Sequence, residues 1–175
     1  METVLTAFIV ITILLFVGLT LFQGFLEAQD DMQVSWQEME ARIEQQSRTT
    51  LTPLNAESKS SGSVIELTLR NDGSTKLADF AEWDVIVQHY SASSAYYVSW
   101  LPYVDYEPTG SEWTVVGIYR DTAASLPEVF DPDILNPGEE ILLRIRVMPP
   151  VGPTTVNLAM VSTDDGVVVP MEFTR

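Results

Sequence analysis

The chain contains no cysteine and only one histidine, so it has neither a disulfide framework nor a thiolate metal site. His89 lacks a second imidazole with which to hold zinc. Any folded domain must therefore stand on its hydrophobic core. Basic residues are scarce: 9 Lys and Arg face 25 Asp and Glu, for a formal net charge of -16. That balance argues against a nucleic-acid partner, because phosphate binding needs a basic patch. Anionic lipid headgroups would repel the same surface. The acidity reads as a solvated, self-repelling exterior. None of Asn55, Asn71, Asn136 and Asn157 has Ser or Thr two residues on, so the ordinary N-glycosylation signal is missing. No proline precedes Pro53, and no charged residue lies between Thr3 and Leu26.

The last two absences define an N-terminal segment. The densest stretch, Val4 to Leu19, is apolar nearly throughout, and about 20 such residues suffice to span a bilayer as a helix. Its threonines can bond back to helix carbonyls, so they cost little there. A secretory signal peptide is a poor reading, since the basic leading region and the small-residue cleavage site are both missing. A plain membrane anchor is the simplest alternative. Beyond the apolar run, Met32, Trp36, Met39 and Ile43 recur at spacings of four, three and four. That is a heptad-like stripe, with acidic and amide residues on the other faces. One continuous helix over residues 1–48 is predicted, roughly 70 Å long at the α-helical rise. The stripe needs a cover, either the chain's own β domain or neighbouring copies of the same helix. No Lys or Arg stands ahead of the apolar run to set orientation. Either a basic leader has been removed, or the acidic C-terminal domain decides the orientation.

Residues 49–63 are rich in Ser, Thr and Asn and read as an extended connector, with an early strand around Thr50–Leu54. Residues 64–175 then show short alternating strands divided by turn signals. The strands are Val64–Arg70, Trp83–Tyr90, Tyr96–Leu101, Trp113–Tyr119, Glu140–Val147, Thr155–Ser162 and Val167–Thr174. The turns include Asn71-Asp72-Gly73, Asn136-Pro137-Gly138, Val151-Gly152-Pro153 and Asp164-Asp165-Gly166. The fold class is α+β: a long hydrophobic N-terminal helix followed by an all-β, immunoglobulin-like sandwich. The expected core is Trp83, Val85, Val87, Trp113, Val115, Leu143, Ile145, Val156, Leu158 and Phe173.

Catalytic chemistry has little to rest on. His89 is expected on the face opposite Val87, as a surface or edge side chain. No Gly-x-Ser-x-Gly, Ser-x-x-Lys or phosphate-binding loop occurs. The carboxylate pairs Asp105/Glu107, Asp131/Asp133 and Asp164/Asp165 lie in Pro- and Gly-containing loops and read as solvated turns. Were one a site, calcium would suit it best, and Asp131-Pro132-Asp133 near Asn136 is the leading choice. No enzyme activity and no cofactor are expected. Tyr96, Tyr97, Trp100, Tyr103 and Tyr106 form an aromatic-rich segment, readable as a carbohydrate or subunit contact or as core plus strand edge.

The stretches Leu67–Phe80 (LTLRNDGSTKLADF) and Leu135–Pro150 (LNPGEEILLRIRVMPP), placed after a hydrophobic helix and an amphipathic stem, resemble the type IV pilin superfamily. Within it the likeness is to archaellins and the archaellum accessory proteins F and G. Leu5 stands where bacterial type IV pilins carry a glutamate. The resemblance implies a structural subunit of an archaellum-like or type IV pilus-like filament, serving motility or adhesion. Such a subunit is membrane-inserted before assembly and is extracted by an assembly platform with its ATPase. It then becomes part of an extracellular homopolymer, the helices bundled inside and the β domains outside. Phe8, Leu15, Phe22, Met32, Trp36, Met39 and Ile43 are the residues expected to carry that bundling. The alternative is a membrane-anchored archaellum accessory or stator protein whose β domain binds the S-layer or another envelope component.

Overall fold

The computed structural model describes residues 2–175, so Met1, the first residue of the expected helix, lies outside the described residues. The chain forms two compact units, one ending at Ile43 and one spanning Glu44–Arg175.

Helix α1 runs Glu2–Arg48 without interruption. Thr12 Oγ1 donates to the Phe8 carbonyl at 2.9 Å, and Thr20 Oγ1 reaches the Phe16 and Val17 carbonyls at 3.0 and 2.9 Å. These bonds hide the hydroxyls within an otherwise apolar surface. The helix stops where Thr49-Thr50-Leu51-Thr52-Pro53 begins. β-branched residues favour extended backbone, and a proline presses the residue before it towards extended conformations.

The second unit is a two-sheet antiparallel sandwich of β1 (Leu51–Lys59), β2 (Val64–Asn71), β3 (Asp84–Tyr90), β4 (Tyr96–Leu101), β5 (Glu112–Asp121), β6 (Leu126–Pro127), β7 (Glu140–Arg146), β8 (Val156–Ser162) and β9 (Val168–Thr174). One sheet has the order β1-β2-β7-β5-β6 and the other β4-β3-β8-β9. Alternate residues point inward: Ile65, Leu67 and Leu69 on β2, Val85 and Val87 on β3, Ile141, Leu143 and Ile145 on β7, and Val169, Met171 and Phe173 on β9. Trp113 is fully buried among them. A bulge at Val116 shifts the alternation of β5, so that Ile118 as well as Val115 packs against the core.

Three expectations need correction. The segment read as a connector with an early strand around Thr50–Leu54 carries the longer strand β1, which pairs with β2 from Leu51 opposite Asn71 to Lys59 opposite Val64. Its side chains are mostly polar because it is an edge strand, and only Leu51 and Ala56 reach the core. Pro53, which has no amide to donate, sits beside a bulge in that edge.

Second, Val156 and Leu158 were assigned to the core, but the inward residues of β8 are Asn157, Ala159 and Val161. Both faces of β8 carry apolar side chains, so size alone misleads. The register sets Ala159 opposite Val87 and Met171, and Asn157 is satisfied inside by accepting from the Tyr90 amide at 2.9 Å.

Third, His89 is fully buried. It is two residues from Val87 and shares the inward face, as strand alternation requires. Its Nε2 is 2.9 Å from the Pro149 carbonyl, and its ring stacks on Tyr97.

Across the outer face of the larger sheet, Arg144 Nε and Nη2 donate to Glu66 Oε1 at 3.1 and 2.9 Å, while Lys59 takes Glu66 Oε2. Burial pushes the Glu66 carboxyl up, but the hydrogen bonds from Lys59 and Arg144 outweigh it and hold the group below its ordinary value. A depressed carboxyl stabilises the fold above its unfolded pKa of about 4.3, and that contribution is lost as pH falls through the lower folded value. Glu66→Gln is therefore expected to lower stability at neutral pH. The gap from the parent should narrow as the solution is acidified below about pH 4, read from urea midpoints across a pH series.

Candidate assembly surfaces

Every described side chain from Thr3 to Arg48 is exposed. Trp36, at 71 % exposure, is uncovered despite its size, and Phe8, Leu15, Phe22, Met32, Met39 and Ile43 are likewise exposed. On the helix these residues fall into register. Phe8, Leu15, Phe22, Gln29, Trp36 and Ile43 are spaced by sevens, and so are Ile11, Gly18, Phe25, Met32 and Met39. Two such lines, offset by three, are the a and d positions of a heptad seam. Around the first half of the helix the other faces are apolar as well, and α1 is long and apolar enough to cross a membrane. From Glu27 onward the remaining faces are mainly acidic and amide, and most of the large apolar side chains lie on the seam.

The last turn of α1, which belongs to the Glu44–Arg175 unit, is fastened to both sheets. The buried side chain of Asn71, at the end of β2, makes the central connection. Its Nδ2 donates to the carbonyls of Thr75 (2.7 Å) and Leu135 (3.1 Å), and its Oδ1 accepts from the Gly73 amide (3.0 Å). Its backbone carbonyl accepts from Gly138 at 2.6 Å, and its amide donates to Glu139 at 2.9 Å. The two sequence stretches that carry the family resemblance are thereby locked to one another, with Leu77 and Leu135 bridged beside them.

The turn that Asn71 shapes then meets the helix end. Ser74 N donates to the Arg48 carbonyl at 2.8 Å, and Asp72 N and Gly73 N donate to the Thr50 carbonyl at 2.9 and 3.1 Å. Helix-end carbonyls lack intrahelical partners, and Ser74 supplies one. A Cβ on Gly73 would lie 2.5 Å from the Arg48 carbonyl oxygen and 2.6 Å from the Thr50 nitrogen, so the close approach requires glycine. On the other sheet, Gln46 Nε2 donates to the Asp165 carbonyl at 2.6 Å in the β8–β9 turn. Asn71-Asp72-Gly73 was legible as a turn, but nothing in the sequence signalled that it holds the helix end.

The aromatic segment divides. Tyr96, Tyr97 and Trp100 lie exposed on β4. Tyr103 packs edge-on against Trp113 at 5.0 Å between ring centroids. Tyr106 is exposed, and its hydroxyl donates to Glu112 at 3.4 Å.

The carboxylate pairs do not converge into a metal site. Asp131 is held by Lys76 at 2.8 Å, and Glu107 by Arg144 at 2.8 Å. Asp79, Asp105, Glu128 and Asp133 line a groove of about 630 Å³ together with Tyr103. Burial first, then Asp105 and Asp133, push the Tyr103 phenol up. Among the described residues no three His, Asp or Glu side chains are grouped to hold a metal ion.

Among solved structures, the chain is similar to the archaellum periplasmic stator protein FlaG from Sulfolobus acidocaldarius, with a TM-score of 0.53 and 18% identity over 71% of this chain and 99% of that one. It is similar also to the archaellum periplasmic stator protein complex FlaF and FlaG from the same organism, with a TM-score of 0.51 and 17% identity over 70% of this chain and 87% of that one. The archaeal flagellum of Methanospirillum hungatei strain JF1 aligns with 99% of this chain and 90% of that one, at a TM-score of 0.45 and 14% identity. No family model matches the chain, and neither does any curated protein. The first two likenesses establish a FlaG-like fold.

Truncating Asn71→Ala removes the donor to the Thr75 carbonyl and leaves the Gly73 amide and the Leu135 carbonyl with only their backbone partners, Thr50 and Leu77. The expected loss is about 2–3 kcal/mol of stability, measured as a fall in denaturant midpoint at unchanged slope.

Proposed function

We propose that this protein is a non-enzymatic structural component of an archaellum-like or type IV pilus-like surface appendage, membrane-inserted before assembly. In this reading it is a filament subunit, polymerising through α1 into an extracellular homopolymer. The observation that carries it is the surface of α1, apolar all round over its first half and along a heptad seam thereafter. Such a helix is stable in lipid or surrounded by other helices, and moving between the two exchanges like for like. Copies related by a screw operation make heterologous, non-closing contacts, the geometry of a filament. An assembly platform with its ATPase would lift the subunit out of the bilayer.

A second reading, a membrane-anchored stator or accessory protein with the S-layer as a candidate partner, is favoured by the fold likeness to FlaG. N-terminal sequencing of material sheared from cells separates the two. A subunit is recovered in the sheared filaments, whereas an accessory protein stays with the membrane fraction.

The seam gives a sharper test. Trp36→Glu or Ile43→Asp is expected to abolish filament assembly, seen by electron microscopy, while leaving the unfolding midpoint of the β domain unchanged. Normal filaments from either variant would sink the bundling idea.

A further inference from the structure

An exposed sheet edge is a row of unpaired backbone donors and acceptors, and proteins usually blunt it with charge, proline, a bulge or brevity. Three edges of this sandwich are blunted. β1 has Pro53, a bulge, Glu57 and Lys59. β6 is two residues long. β9 carries Pro170 and Glu172. The fourth edge, β4, reads Tyr96-Tyr97-Val98-Ser99-Trp100-Leu101, with no charge and no proline, and it pairs with β3 without any register shift.

Its outward residues are apolar and already ordered. Trp100 Nε1 donates to Asp84 Oδ1 at 2.7 Å, and the Tyr96 hydroxyl donates to Gln88 Oε1 at 2.8 Å. Tyr96 also packs on Tyr90 at 5.0 Å. Val98 stands between them, 59 % exposed. Behind this edge one row of the outer face is apolar, with Trp100, Ile86, Met160 and Pro170 aligned across the strands.

We propose that β4 is a self-pairing edge: the β4 strand of a second copy of this chain adds to it antiparallel across a two-fold axis, merging two four-stranded sheets into one. Charge selects this occupant. The chain carries a net charge of -16 and repels its own kind over most of its surface, yet Val85 to Val104 contains no charged residue. Copies meeting at β4 therefore set no like charges opposite one another. A basic partner would find no carboxylate on β4 itself, and the Asp84 carboxylate beside it already accepts from Trp100.

The pleat limits the register. Residues directly opposite in a sheet share a face, so the axis must pass through a residue paired with itself. Centred on Val98, it sets Tyr96 opposite Trp100 of the second copy, twice, and Val98 opposite Val98. Cross-strand aromatic pairs of that kind stabilise a sheet, and side chains ordered beforehand lose little freedom on pairing.

A chain without cysteine makes the test direct. Single-cysteine variants of the full-length protein are oxidised in nonionic detergent, with circular dichroism confirming the fold. Val98→Cys is expected to become a disulfide-linked dimer for most of the chain, because its sulfur meets its own copy and the bond traps even a short-lived pair. Tyr96→Cys alone is not, because its copy lies about 13 Å away along the strand. Mixing Tyr96→Cys with Trp100→Cys restores the cross-link. If Val98→Cys links no faster than Tyr96→Cys, or than Val129→Cys on an exposed loop, the proposal is overturned.

Discussion

Asn71 is fully buried, and exchanging its amide for an apolar group would cost three hydrogen bonds to the backbone and leave the Thr75 carbonyl without its donor. That requirement ties together parts of the chain far apart in sequence. The side chain closes the turn after β2, and the turn presents Gly73 and Ser74 to the carbonyl end of α1. The same residue's backbone holds the Asn136-Pro137-Gly138 turn that launches β7. Moving β2 therefore moves β7, and moving either disturbs the seat of the last helical turn. With Gln46 bonded to the β8–β9 turn as well, that seat draws on both sheets. A load on the last turn is shared between two sheets that meet in one core.

The two halves of the chain solve opposite solvation problems. The sandwich hides its apolar residues without disulfides or metal, and its acidic exterior keeps it dispersed in water. Helix α1 hides almost nothing within the chain and leaves a surface that water disfavours. A protein built this way is incomplete as a monomer in solution. Lipid can cover the first half, but the seam from Met32 to Ile43 is flanked by carboxylates and suits other helices better. The charge-free run around β4 fits the same logic. An acidic chain can meet a copy of itself only where like charges do not face one another.

Much of this was legible in the residues. The helix announced itself by the lack of charge and proline up to Leu26 and by the heptad spacing beyond, and seven strands by period-two alternation between turn signals. These are local properties, set by backbone geometry and the side-chain periods of helix and strand. Errors came where the two faces of a strand were hard to tell apart. On β8, Val156 and Leu158 look more buried than Asn157 and Ala159, yet pairing with Val87 and Met171 turned the small and polar residues inward. On β1 the polar composition concealed how far the early strand runs, because an edge strand gives few residues to the core.

What the sequence alone determined is the class of object: a long apolar helix joined to a cysteine-free β domain with an acidic surface. Those features depend on neighbours one to seven residues apart, and no distant contact is needed to read them. Tertiary structure decided which edges are blunted, which face of β8 looks inward, that His89 is buried, and that Asn71, Gly73 and Gln46 hold the end of the helix. Each of these turns on strands that meet only after the chain has closed long loops. A one-residue change of register would reverse the face that every side chain of a strand presents.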